Sequence, residues 1–283
     1  MISHSTVSAP ATSANLGPGF DTLALALEMR CTVTATPADE WSIEHVGEHR
    51  PVGPDTDGVL FAARKSVGEH NTLALVVDSD IPLGKGLGSS AAAFAAGVAA
   101  ASLAIDGAYS LDHVFRVASE LEGHADNVAA AVYGGFILVP AEGMPIRLPL
   151  HPSLNVVVGV PDGSLSTTSA RSVVSTTFPR EVVTRSLSRV SALIAGMMSA
   201  DPHLLAAAHG DEIHETARAG LTPEVALTIQ RVRNAGAWHA ARSGAGPAVI
   251  ALTSAENISD VGDAFRVSDA EPRHLAVATT GLI

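Results

Sequence analysis

The stretch Pro82-Leu83-Gly84-Lys85-Gly86-Leu87-Gly88-Ser89-Ser90-Ala91-Ala92 decides how the rest of this chain is read. Its alternating glycines let the backbone turn sharply and approach a ligand closely, because no Cβ intrudes. Ser89 is placed to cap a helix. The run from 91 to 105 is almost all alanine, with Phe94, Val98, Leu103 and Ile105 on a bulkier face, and forms helix readily. A glycine loop that empties into a helix N-terminus offers free N–H groups and the positive end of the helix dipole to an anion. The stretch therefore reads as a triphosphate cradle. It is not the P-loop pattern, because no Gly-Lys pair is followed by Ser or Thr at the required spacing. It is not the dinucleotide fingerprint either, since the glycines run G-x-G-x-G. The competing reading is a tight turn before a buried alanine-rich helix.

The strand predicted over 73–77 feeds this loop, and the elements around it are mixed. Extended segments are predicted at 6–9, 23–29, 31–35, 41–45, 136–139, 154–160, 238–241, 248–252 and 274–279. Helices are predicted at 60–67, 111–121, 127–132, 170–175, 181–198, 202–209, 223–234 and 256–265. Residues 10–21 are full of turn formers and short polar side chains. Strands and helices do not alternate strictly, so the class is α+β rather than a doubly wound sheet. A Pro-rich passage at 143–152 marks a boundary near 150, giving units 1–150 and 151–283.

Composition narrows the partners. The chain has 283 residues, 47% of them apolar, which is ample for a core. Its net charge is −12 and its 17 lysines and arginines never cluster, which argues against nucleic acid. An anion site must then be built locally from backbone amides, a few arginines and a metal. The single cysteine, Cys31, cannot form an internal disulfide and suits a reducing, cytoplasmic setting. Met1-Ile2-Ser3-His4 has neither a basic nor an apolar leader character. The run 91–105 is too short and too rich in alanine to span a bilayer, which needs about 20 residues, so no membrane partner is expected.

Three further segments carry polar residues that a core does not need: 14–21, 120–127 and 243–247. In the second, Glu122, His124, Asp126 and Asn127 crowd together at a helix break. Asp126 suits an N-cap. Alternatively, Glu122 offers an oxygen ligand to Mg²⁺. A lone histidine such as His124 is more often structural than a base. No His/Cys spacing supports zinc, and no G-x-S-x-G supports a serine hydrolase.

The glycine stretch resembles the phosphate loop of the GHMP small-molecule kinases. Residues 10–21 (Pro-Ala-Thr-Ser-Ala-Asn-Leu-Gly-Pro-Gly-Phe-Asp) look like the first motif of the homoserine kinase family within that group. Gly123-His124-Ala125-Asp126-Asn127-Val128 resembles the G-H-P-D-N-V segment, and residues 164–171 resemble S-T-x-x-A-R. Residues 211–218 resemble D-x-x-H-E-x-x-R, and Ser243-Gly244-Ala245-Gly246-Pro247 matches the third motif of the superfamily. These motifs stand in the family's order across residues 10–247.

The resemblance implies a two-domain fold. Its N-terminal half would be like domain 2 of ribosomal protein S5, and its C-terminal half would be a ferredoxin-like α/β unit. It implies ATP held by the amides of residues 82–92 and Mg²⁺ on Ser90 and Glu122, with Glu120 as the alternative metal ligand. L-Homoserine would lie among Asn15, Asp21, His124, Asp126, Arg171 and Arg218, with Asn15, Asp21 and Asp126 aligning the reacting hydroxyl. Asp126 is the candidate general base, and a γ-phosphate oxygen is its rival. A homodimer is common in the family. Here Ala125 and Ala130 replace prolines, and Ala245 and Ala248 replace Ser and Thr, so one hydroxyl near the phosphates is lost. The expected activity is phosphorylation of the homoserine hydroxyl in threonine biosynthesis. The alternatives are a kinase for another small alcohol, of mevalonate or shikimate type, or a non-catalytic nucleotide or metabolite sensor.

Overall fold

A computed structural model describes residues 4–47, 50, 51, 53 and 56–283. Met1-Ile2-Ser3, read above for a leader, lies outside the described residues. The chain begins with a long antiparallel pair, β1 (Ser5–Asn15) and β2 (Gly19–Pro37). The two extended segments predicted at 23–29 and 31–35 are one strand, and β1 runs through most of the turn-rich motif. The cause is burial. Thr12 and Ser13 are wholly enclosed and their hydroxyls find partners inside the protein, so they do not break the strand. Parallel to each other at one side lie β3 (Ser42–Val46) and, after α1 (Gly58–Val67), β4 (Leu73–Ser79). The first half of β2 pairs with β5 and the second half with β4.

Helices α2 (Ser89–Asp106), α3 (Leu111–Glu122) and α4 (Asp126–Tyr133) lead to β5 (Phe136–Leu138), and β6 (Ile146–Leu148) closes the sheet. β6 falls inside the passage read as a Pro-rich boundary; three residues are too few to show a period. α2 is the only described helix long and apolar enough to cross a membrane. Here it is an interior helix whose alanines, Ala93 and Ala104 apart, are at 0% exposure, packed with α1 and the sheet. Close packing on several sides explains why its residues are small.

The second sheet starts at β7 (Asn155–Pro161). Helices α5 (Thr167–Ser172), α6 (Arg180–Ser199), α7 (Pro202–Ala207), α8 (Glu215–Arg218) and α9 (Glu224–Asn234) follow. The chain then forms β8 (His239–Arg242), β9 (Val249–Thr253), α10 (Ile258–Arg266) and β10 (Ala270–Leu275). The antiparallel order β10-β7-β9-β8 is the ferredoxin-like arrangement. The last strand is displaced from its predicted span: β10 ends at Leu275, and residues 276–283 cross back to the first sheet. There Ala278 N–H donates to Ala26 O at 3.0 Å, and Ser8 N–H donates to Ile283 O at 2.8 Å. The apolar run 275–278 reads as extended, but a short run alone does not say which sheet receives it.

Candidate active site

The glycine loop sits between the two sheets with its backbone turned one way. Five successive carbonyls are engaged from behind at 2.7–3.0 Å. Gly84 O accepts from Leu165 N–H, Lys85 O from Ala248 N–H, Gly86 O from the Ser243 hydroxyl, Leu87 O from Thr12 N–H and Gly88 O from Ala92 N–H. Among the described residues, no N–H from Gly84 to Ser90 donates to a protein acceptor. Fixing the carbonyls inward leaves the amides facing the cleft, at the positive end of α2. Glycine is required at two of these positions. A Cβ on Gly86 would lie 2.2 Å from Ser243 O, and one on Gly88 would lie 1.8 Å from Thr12 Oγ1. Gly88, at φ +65°, is itself the N-cap of α2. This corrects the expectation for Ser89, which is the first helical residue and makes no side-chain cap. The left-handed turn comes one residue earlier than a serine cap would need.

Of the eleven residues read as the cradle, Gly84, Gly86, Gly88, Ser89 and Ser90 line the cleft, whose volume is about 240 Å³. Pro82, Leu87, Ala91 and Ala92 are buried, and Pro82 has no N–H to give. Leu83 lines a separate small cavity. The Lys85 ammonium points away, donating to the carbonyls of Pro161 and Gly163 at 2.8 Å and also to that of Asp162.

Facing the loop are the end of α3 and the start of α4. Ser90 Oγ donates to Glu122 Oε2. Burial raises the pKa of Glu122 above the usual carboxylate range, although the Ser90 bond and His124 oppose this. Glu120, the alternative, is exposed and pairs with Arg116 at 3.5 Å along α3. His124 lies between two carboxylates. Its Nδ1 donates to Asp126 Oδ1 at 2.8 Å, and its Nε2 is 3.5 Å from Glu122 Oε1 with no hydrogen-bond partner. Burial would lower its pKa, but the Asp126 bond and the two carboxylates outweigh burial and raise it. Asp126 is not the N-cap of α4, which is Ala125; it is the first helical residue, its Oδ1 also accepts Asn127 N–H at 2.8 Å, and it is buried at 2% exposure in the cleft.

The third wall joins both sheets. Asn15, Leu16 and Asp21 have positive φ, a concentration of strained non-glycine residues typical of a functional site. Asn15 Nδ2 donates to Gly244 O at 3.0 Å, and its Oδ1 accepts from Asp21 N–H at 3.1 Å. Asp21 is gripped by both terminal nitrogens of Arg171, at 2.6 and 3.1 Å. Arg218 is buried. Its Nε donates to Ala170 O at 2.9 Å, and one terminal nitrogen contacts His214 Nδ1 at 2.8 Å and Gly244 O at 3.2 Å. His214 donates from Nε2 to Gly17 O at 2.8 Å, so its Nδ1 is free to accept from Arg218. Among the described residues, no carboxylate pairs with Arg218. Burial, with the charges of Arg242 and Arg171, lowers its pKa to about 10. A buried cation without an anion is costly unless a ligand supplies one.

All the substrate candidates therefore border or brace one cleft. Asn15, His124, Asp126, Arg171 and Arg218 line it, and Asp21 is held at its rim by Arg171. Sequence reasoning missed Phe20. Its ring stacks on His214 at 5.1 Å and lies under the guanidiniums of Arg171 and Arg218, at 5.9 and 5.5 Å. Its place inside the 10–21 motif was the available signal. Ser166 and Thr167 also line the cleft, and they stand at the Ser-Thr of the segment read at 164–171, which was their signal. Ala245 lines it without a hydroxyl, whereas Ala248 acts through its backbone N–H, so that substitution removes nothing from the loop.

The GHMP kinases N terminal domain model matches residues 58–135, and the GHMP kinases C terminal model matches residues 192–267. A homoserine kinase of Desulfitobacterium hafniense is 35% identical over 265 residues, covering 90% of this chain and 89% of its own. One from Thermus thermophilus is 38% identical over 250 residues, covering 87% and 86%. The crystal structure of homoserine kinase from Cytophaga hutchinsonii superposes with a TM-score of 0.87 at 27% identity, over 100% of this chain and 98% of that one. L. major mevalonate kinase shares the fold at a TM-score of 0.75 and 16% identity, over 98% and 96%. With the loop, the cleft and both family models in agreement, this chain belongs to the GHMP kinases, in the homoserine kinase family.

Proposed function

We propose that this protein transfers the γ-phosphoryl group of ATP to the side-chain hydroxyl of L-homoserine, giving ADP and O-phospho-L-homoserine for threonine biosynthesis. The observation that carries this reading is Arg218, a buried guanidinium that opens on the cleft with no acidic partner among the described residues. It supplies what a substrate carboxylate needs, with Arg171 beside it. Asp21 and Asp126 supply what an ammonium group needs. Asn15 fixes the turn that presents Asp21. The loop amides take the phosphates, so charge developing on the transferred group meets donors already oriented.

The fit of Mg²⁺ rests on Glu122. It is a buried carboxylate whose pKa is raised and whose nearest donor is the Ser90 hydroxyl. Among the described residues no group of three or more His, Cys, Asp or Glu gathers around a metal position. Two protein oxygens suit a cation that keeps waters and takes phosphate oxygens. Ser90 and Glu122 would hold it, and bound there it would neutralise phosphate charge. We assign residues 1–150 to the nucleotide-binding unit and residues 151–283 to the second unit, with 276–283 docked on the first sheet. We place the enzyme in the cytoplasm, as its one buried free thiol suggests.

ATP consumption against homoserine, other hydroxy-amino acids, mevalonate and shikimate tests the proposal. Turnover confined to homoserine is expected; turnover only with another alcohol, or none, overturns it. Asp126→Asn tests the base. With Asp126 as base, kcat falls by about 10²-fold or more. A fall under about tenfold with unchanged KM leaves the proton to a phosphate oxygen.

A further inference from the structure

Among the described residues Arg218 is not alone as a guanidinium without an acidic partner: Arg242 is buried like it, and Arg233 is half-buried. Among the described residues, Arg233 on α9 and Arg242 on β8 also make no ion pair. Burial lowers the pKa of both. Both line a second cavity, of about 460 Å³, that shares no lining residue with the catalytic cleft. Helix α8 separates the two: Arg218 lines the cleft, and Glu215 lines the cavity. Arg242 is 1% exposed. One of its terminal nitrogens donates to Thr222 Oγ1 at 2.7 Å and to Ala245 O at 3.4 Å, but its Nε has no partner, and neither has Nε of Arg233.

The carboxylates nearby balance these charges only in part: Glu215 and Glu224 act on Arg242 without forming an ion pair with it. Glu215 accepts the backbone N–H of Arg242 at 2.6 Å rather than its guanidinium, and burial lifts its pKa to about 7. Asp211 Oδ2 is occupied by the N–H groups of Ile213, His214 and Glu215, at 3.0, 2.5 and 2.8 Å. Val225 and Ile229, buried along α9, give the cavity an aliphatic patch beside Ala219 and Ala226, while His209, Thr216 and Gln230 line the rest. Two under-compensated cations beside an apolar patch call for an anion with an alkyl body. A dianion would meet Glu215 and Asp211, so a single negative charge fits better.

We propose that this cavity binds a small aliphatic monocarboxylate, with its carboxylate toward Arg242 and Arg233 and its alkyl chain against Val225 and Ile229. The test is titration calorimetry of the whole chain with sodium 3-methylbutanoate, with 3-methylbutanamide as the uncharged control. Heat from the carboxylate and none from the amide is expected. Arg233→Gln should weaken binding about tenfold or more, the worth of one charge-assisted hydrogen bond. Ala226→Trp, at the mouth of the cavity, should abolish it. Arg218→Met should leave it unchanged, because that guanidinium belongs to the other site. Loss of the heat in Arg218→Met, or its persistence in both Arg233→Gln and Ala226→Trp, overturns the proposal. So does the absence of any heat. None of these readouts depends on kinase turnover, so the result stands apart from the functional reading above.

Discussion

Replacing Gly88 by alanine probes the device that keeps the loop amides free. The residue sits at φ +65°, where a Cβ costs about 1–2 kcal/mol. That Cβ would lie 1.8 Å from Thr12 Oγ1 and 3.2 Å from Asn127 Oδ1, so either the loop or Thr12 must move. Moving Thr12 breaks its 2.7 Å hydrogen bond to Asn127. That loss costs about 1 kcal/mol net, and up to about 3 if the buried Asn127 carbonyl is left without a donor. Together the terms come to about 2–5 kcal/mol, or a fall in Tm of roughly 10 °C. Moving the loop also disturbs the N-cap of α2, so KM for ATP should rise along with the loss of stability. Urea unfolding and initial rates at varied ATP measure the two effects. Thr12→Ala alone should cost about 1–3 kcal/mol for the lost bond. In the double variant the two costs should sum to less than their separate values by about 1–3 kcal/mol, because the clash is with the atom removed. Gly88→Ala within about 1 kcal/mol of wild type, with unchanged KM for ATP, would refute the argument that close packing sets the loop.

The remaining expectations concern single side chains. Glu122→Gln should raise the Mg²⁺ concentration needed for half-maximal rate by about tenfold or more, while Glu120→Gln, which lies outside the cleft, leaves it unchanged; equal behaviour of the two variants removes Glu122 from the metal. Arg218→Met should lower kcat/KM for homoserine by about 10²–10³-fold, the worth of two charge-assisted hydrogen bonds. It should also erase the preference for homoserine over its uncharged carboxamide; a purely structural role would lower both rates alike. His239, which donates to Leu16 O at 3.0 Å, has its pKa lowered by burial to about 4. The unfolded chain protonates it near 6.5 while the folded chain resists, so its stabilisation holds above pH 6.5 and is lost as pH falls toward 4. The stability advantage of wild type over His239→Gln should therefore shrink by about 2 kcal/mol between pH 7.5 and pH 5; an unchanged difference in urea midpoints would show that His239 titrates normally.

Local rules made much of this molecule legible from its residues. The glycine loop and the long alanine helix could be read because positive φ and helical spacing are properties of a few neighbouring residues. The family motifs located Asn15, His124, Asp126, Arg171 and Arg218 before any contact was known. Other choices needed packing. Glu120 and Glu122 are two apart on one helix and so face different directions, and only the docking of α3 beside α2 selects Glu122 for the cleft. Ser89 looked like a cap until the approach of Thr12 to Gly88 placed the left-handed turn one residue earlier.

What the sequence by itself determined is the set of elements and the chemistry each one carries. What only the tertiary structure decided is which of them meet: Asp21 with Arg171, Asn15 with Gly244, and the tail beyond Leu275 with the first sheet rather than the second. Periodicity and turn preference act over one or two turns of chain. These pairings join residues 150 or more positions apart, and such contacts exist only once the two sheets have buried their apolar faces against the helices between them.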